Sequence, residues 1–186
     1  TITCPGNITV NTDGTISGGA GGSPVITAFG PCGVQLRYTA PVGTDNCPIP
    51  MTDNISGLGA GPNFFAYNGI YTETWRTTDA SGNATTCSFS ITVLDPVAPK
   101  VTCPSSVTVN NILGKCAAPV TYSFPYYSDN CPNFTLTQLT GPNSGAEFPV
   151  GVTGVSFRVT DNAGNSTVCA FTVTVQDKEN PVIVTC

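Results

Sequence analysis

In the stretch Cys169-Ala170-Phe171-Thr172-Val173-Thr174-Val175 the cysteine, Phe171, Val173 and Val175 fall on one face of an extended chain, and Thr172 and Thr174 fall on the other. Cys87, Phe89, Ile91 and Val93 repeat the pattern, so both stretches predict half-buried strands. A further alternating segment near Val152 to Thr160 precedes the first of these, joined to it by Asp161-Asn162-Ala163-Gly164-Asn165. Glycine supplies a positive φ there and the Asx side chains bond the local backbone, which predicts a β-hairpin. No stretch shows a helical period with caps. The expectation is an all-β fold of about seven short strands per module, packed as a two-sheet sandwich.

The word module is earned by an internal repeat. Offsetting the chain by 82 residues aligns Gly69 to Asn83 with Gly151 to Asn165 without a gap, and both stretches continue into Thr-x-Cys-x-Phe-x-(Ile/Val)-Thr-Val. Upstream, Asp45-Asn46-Cys47-Pro48 matches Asp129-Asn130-Cys131-Pro132, and Pro41 matches Pro125. Two tandem modules are therefore expected, at 1–95 and 96–180, with 181–186 as the first strand of a following one. Only Asp95 to Lys100, with two prolines, separates the predicted strands, which predicts an end-to-end arrangement. An insertion around Asp13 to Gly30 lengthens the first module, and its Gly18-Gly19-Ala20-Gly21-Gly22 run reads as an extended surface loop.

Composition narrows the chemistry. Charged residues make up 9% of the chain and histidine is absent, which removes the commonest general base and the commonest zinc nitrogen ligand. Serine and threonine thus lack a histidine partner, and no carboxylates are paired for glycoside hydrolysis, so no enzyme is expected. The net charge of −5 with six basic residues leaves no phosphate-neutralising stripe, arguing against nucleic acid as a partner. The apolar runs fall far short of the roughly 20 residues needed to span a bilayer.

Nine cysteines stand at 4, 32, 47, 87, 103, 116, 131, 169 and 186. Cys32 to Cys47 and Cys116 to Cys131 share a spacing of 15, and no C-x-x-C pair occurs. The set divides into four, four and one, and disulfides in an oxidising, extracellular compartment are the expectation.

The opening Val101-Thr102-Cys103-Pro104, the middle Ser128-Asp129-Asn130-Cys131, the step Phe148-Pro149-Val150-Gly151, and Thr160-Asp161-Asn162-Ala163-Gly164-Asn165 followed by Cys169-Ala170-Phe171-Thr172-Val173 together resemble the hyalin repeat (HYR) domain. In the first module Ala66-Tyr67-Asn68-Gly69 replaces the Phe-Pro-Val-Gly step. The resemblance implies an immunoglobulin-like or fibronectin-III-like extracellular module that occurs in tandem arrays with adhesion-related roles. Each four-cysteine module has three possible pairings. First and last strands are neighbours in this type of sandwich, which favours Cys4 with Cys87 and Cys103 with Cys169. Cys32 then pairs with Cys47 and Cys116 with Cys131, leaving Cys186 for an intermodule or intersubunit bond.

Several residues are candidates for recognition. Asp79, Asp161, Asn83 and Asn165 carry oxygens suited to calcium, as do Asp95, Asp177 and Glu179 at the predicted junctions, although turn formation alone accounts for the hairpin residues. Trp75 and Phe157 occupy equivalent inner positions and are expected in the core. Adjacent strand residues point oppositely, so one member of Tyr126-Tyr127 and one of Phe64-Phe65 is expected at the surface. Arg76 and Arg158 should face outward in surface ion pairs. Asn7, Asn54, Asn83, Asn133 and Asn165 head glycosylation sequons. The function expected is a non-catalytic structural or adhesive repeat of a stalk, fibre or matrix protein. Its partners would be further repeats or identical subunits joined head to tail. The alternative is a ligand-binding surface module for carbohydrate, protein or calcium-dependent recognition.

Overall fold

The computed structural model describes residues 1–47 and 50–181, and among them every regular element is a β-strand. The chain clusters into two compact units, Thr1–Val97 with Asn130–Pro132, and Ala98–Asp129 with the chain from Asn133 onward. The short segment Asn130–Pro132, expected in the second module, thus groups with the first unit.

The first unit contains β1 (Ile8–Asn11), β2 (Ile16–Gly18), β3 (Val25–Gly30), β4 (Gly33–Arg37), β5 (Met51–Ser56), β6 (Asn63–Ala66), β7 (Ile70–Thr78) and β8 (Ala84–Leu94). They form one sheet in the order β2-β1-β8-β7-β5 and another in the order β3-β4-β6. β1 runs parallel to β8, with Ile8 opposite Ile91 and Val10 opposite Val93, while the other pairings are antiparallel. The core joins both sheets: Ile8, Val10, Trp75, Phe89, Ile91 and Val93 from the first meet Val34, Leu36 and Phe65 from the second, with Tyr38 beside them. That shared core is what makes the two layers a sandwich, and each fully buried aliphatic or aromatic side chain contributes about 1.5–3 kcal/mol.

The second unit contains β9 (Lys100–Thr102), β10 (Val107–Asn110), β11 (Ala117–Pro119), β12 (Tyr126–Ser128), β13 (Phe134–Thr140), β14 (Glu147–Pro149), β15 (Gly151–Asp161) and β16 (Ser166–Gln176). Its main sheet runs β10-β16-β15-β13, with β11 paired to β14 and β9 to β12. β10 lies parallel to β16, Val107 opposite Val173, just as β1 lies along β8. The core is aromatic: the Tyr122 ring meets Phe171 edge-on at 5.1 Å, and Phe148 and Phe157 are fully covered beside it.

The expected hairpins are present, with Asp161 opening one and Asp79 the other. The Asn165 amide nitrogens donate to both Asp161 carboxylate oxygens, backbone N at 2.8 Å and Nδ2 at 2.9 Å. Asn83 does the same to Asp79, both at 2.8 Å, and this bonding holds the Asp79 carboxyl below its ordinary pKa. Gly82 and Gly164 take φ of 87° and 91°, which explains glycine at that turn position.

The insertion differs from the sequence expectation. Residues 13–30 are not simply an extended loop but supply β2 and the edge strand β3. The glycine run between them folds back tightly, with Gly19 N donating to Asn7 O at 2.8 Å and Gly22 N to Gly19 O at 2.8 Å. A β-carbon on Gly18 would lie 2.0 Å from the Asn7 carbonyl oxygen, so close backbone approach explains the glycines. Polar turn composition had concealed the flanking strand residues Ile16 and Val25-Ile26.

Candidate functional site: the cysteine framework and a buried carboxylate

Disulfides join Cys4 to Cys87 and Cys103 to Cys169, each with Cα atoms 5.6 Å apart. The two bonds occupy equivalent positions, tying the chain ahead of β1 or β10 to the last strand of the same unit, β8 or β16. The remaining pairing departs from the sequence expectation. Cys32 is bonded to Cys131, with Cα atoms 4.3 Å apart, while among the described residues Cys47 and Cys116 are exposed and form no disulfide. Equal spacing had suggested two local bridges, Cys32 to Cys47 and Cys116 to Cys131. In the fold, Cys32 occupies the β3–β4 turn at φ 57°, where its carbonyl accepts from Tyr67 N. Cys131 belongs to the short segment that Asn130 fastens to this unit, its Nδ2 lying 3.1 Å from Thr12 Oγ1 and 3.1 Å from Asp95 Oδ1. Those contacts deliver Cys131 rather than Cys47 to Cys32. Cys186 lies outside the described residues, as does the strand expected at 182–186.

The acidic candidates are engaged by the chain itself. Asp95 is buried, and its Oδ1 accepts from Thr12 Oγ1 at 2.5 Å and Val97 N at 3.1 Å. Asp177 Oδ1 accepts from Glu179 N at 2.9 Å, and Glu179 Oε1 accepts from Gly114 N at 2.6 Å and Asn111 Nδ2 at 3.3 Å. Asp177 and Glu179 thereby tie the chain after β16 to the turn at 111–115.

Trp75 and Phe157 are buried as expected, at 7% and 1% exposure. Tyr126 and Phe64 are the exposed members of their pairs, with Tyr127 half-buried and Phe65 covered. Arg76 and Arg158 face outward, but among the described residues the ion pair found is Lys115–Glu147, not one made by either arginine. Arg76 stands opposite Asp53 in the β5–β7 register without closing a salt bridge. The outward orientation agrees with the expectation and the ion pairs do not, since exposed arginines gain little from fixing a long side chain.

The chain also holds an arrangement that the sequence reading missed. Glu73 on β7 is completely buried, between the inward-facing Trp75 and the half-buried Tyr71. Its Oε2 accepts from Tyr38 Oη at 2.9 Å, Asn54 Nδ2 at 3.1 Å and Gly59 N at 2.8 Å, and its Oε1 accepts from Leu58 N at 2.8 Å. A carboxylate with four donors is a satisfied buried charge. It ties the loop after β5 to strand β7 and to Tyr38 beyond β4. Burial first, and the hydrogen bond to Glu73 second, push ionisation of the Tyr38 hydroxyl well above its ordinary range. The signal was present in the strand period: positions 73, 75 and 77 share a face, so a glutamate there points inward.

A cleft of about 540 Å³ opens beside β3 and β4, lined by Val25, Thr27, Arg37, Tyr38 and Ala60 among others. Among the described residues, no group of carboxylates, nucleophile and base converges on it.

Comparison with known proteins agrees with the sequence signatures. The family model described as the HYR domain matches residues 94–175. Hyalin of Strongylocentrotus purpuratus is 37% identical over 159 residues, covering 83% of this chain and 13% of that protein. Hyalin of Lytechinus variegatus is 32% identical over 162 residues, covering 85% of this chain and 30% of that protein. The chain therefore spans less than a third of either relative. Among solved structures, Drosophila N-cadherin EC1-4 aligns with 92% of this chain and 48% of its own, at 14% identity and a TM-score of 0.35.

Proposed function

With residues 94–175 an HYR domain, we propose that the chain is a non-catalytic structural and adhesive repeat of an extracellular array, and that it joins further repeats or identical subunits head to tail. The observation that carries this reading is the equivalent placement of Cys4–Cys87 and Cys103–Cys169. Each bond short-circuits its unit, so a pull along the chain passes through a covalent staple instead of through the sandwich. The small share of the hyalin relatives' length that this chain spans supports a repeated unit within something larger. The three disulfides among the described residues suit an oxidising extracellular setting.

Sedimentation of the oxidised protein over a range of concentrations tests the assembly. Concentration-dependent growth into linear oligomers, seen also by electron microscopy, is the expected result. A monodisperse 19.1 kDa species at every concentration would overturn head-to-tail joining.

A further inference from the structure

We infer that the fold sorts the five sequons, so that the mature protein carries N-linked glycans at Asn7 and Asn133 and none at Asn54, Asn83 or Asn165. The inference rests on the extracellular reading only for the compartment. The sorting itself comes from what each side chain does in the folded unit.

Asn133 is exposed at φ 73° in the turn entering β13, and among the described residues its side chain makes no hydrogen bond. The hydroxyl residue of its sequon, Thr135, is also exposed. Asn7 is exposed as well, and its Oδ1 accepts from Ser90 N at 2.9 Å, a bond that survives modification of Nδ2 because it uses the oxygen alone.

The other three asparagines use the nitrogen that would bear the sugar. Asn83 Nδ2 and Asn165 Nδ2 close their hairpins on Asp79 and Asp161 at 2.8 and 2.9 Å. Asn54 is half-buried and its Nδ2 donates to Glu73, whose carboxylate has no solvent exposure, so a sugar on that nitrogen would crowd the buried cluster. A sugar at Asn54 leaves Nδ2 one N–H and sets a bulky group beside the Glu73 cluster, so a chain modified there before folding would pack this unit poorly and be retained rather than secreted.

The chemistry needs one co-reactant, an oligosaccharide on a polyprenyl diphosphate. The Asn133 amide nitrogen forms a bond to the anomeric carbon, and the bond from that carbon to the diphosphate breaks. The diphosphate leaves with the electron pair, the amide proton passes to a base of the transferase, and nothing is oxidised or reduced. The site has a consequence for the fold. β13 is an edge strand of its sheet, and a glycan at its entrance shields unpaired backbone groups from pairing with another chain.

The test is secretion of the protein from a host cell that performs N-glycosylation, followed by enzymatic glycan release in heavy-oxygen water and peptide mapping. Because the host supplies the compartment, the outcome reads the sorting separately from the natural location. The expected result is isotope label at Asn7 and Asn133 alone, one glycan lost in each of Asn7→Gln and Asn133→Gln, and a bare polypeptide mass when the two are combined. Any other pattern of occupied sequons in the secreted protein overturns the inference.

Discussion

Replacing Glu73 tests whether the buried carboxylate organises the first unit. Glu73→Gln preserves shape but presents a donor group to a ring of donors. At least one of the four loses its acceptor and the rest lose charge assistance, a cost of about 2–4 kcal/mol. Glu73→Val removes the acceptor altogether. The amides of Leu58 and Gly59 belong to an exposed loop that can turn to water, whereas the Tyr38 hydroxyl, on a residue 3% exposed, has no such exit. The cost is therefore nearer about 3–5 kcal/mol than the sum of four broken bonds. Trp75 is the sole tryptophan and lies two residues away, so its fluorescence during urea unfolding with disulfides intact reports this unit. With a urea slope of about 1–3 kcal/mol/M the midpoint should fall by more than about 1 M. Adding Tyr38→Phe to Glu73→Val should recover at least about 1 kcal/mol relative to the summed single effects, because the stranded hydroxyl is then gone. Unfolding of Glu73→Val within about 0.5 kcal/mol of the parent would refute this account. The repeat supplies an internal contrast: the residue 82 positions on is Val155, fully buried, while the Tyr122 hydroxyl of that unit donates to Pro142 O at 2.8 Å.

Other outcomes follow from the same contacts. Gly57 holds φ 101°, and an added β-carbon would sit 2.5 Å from Glu73 Cδ, so Gly57→Ala should destabilise the first unit by about 1–3 kcal/mol in the same urea assay. Because the Tyr38 pKa is raised in the fold, its contribution is complete below the unfolded value of about 10 and is lost as pH climbs toward the folded value. Stability should accordingly decline above about pH 10, and Tyr38→Phe should flatten that decline in urea midpoints measured against pH. Replacing Cys103 and Cys169 together by serine should cost about 2–5 kcal/mol, read by circular dichroism since the second unit has no tryptophan.

Much of the fold was legible because alternation survives in the long strands. β8, β15 and β16 carry apolar residues at alternate positions over most of their length, whereas the inward row of β7 is Tyr71, Glu73, Trp75 and Thr77; both hairpins are marked by Asp, Gly and Asn at fixed offsets. The two staples were legible because Cys87 and Cys169 lie on the apolar face of the last strand and the family resemblance makes first and last strands neighbours. β2 and β3 were hidden within a glycine-rich stretch, where local composition favours turns and only tertiary pairing to β1 and β4 makes strands. The Cys32–Cys131 bond joins residues 99 apart in sequence, and spacing arithmetic favours near neighbours over such distant partners. Glu73 sat in plain sight on an inward position, but its four donors come from Tyr38, Asn54 and the 58–59 backbone, and only folding brings them together.

The claim that each unit is a covalently short-circuited structural repeat is tested most directly by pulling a single molecule from its two ends. The Cys4–Cys87 and Cys103–Cys169 bonds enclose separations of 83 and 66 residues. At about 3.4 Å per extended residue, those loops hide roughly 280 and 220 Å of chain. The oxidised molecule should show no unfolding step of that size, and the reduced molecule should show two, one for each enclosed loop. Steps of full length in the oxidised molecule, or none after reduction, would contradict the account.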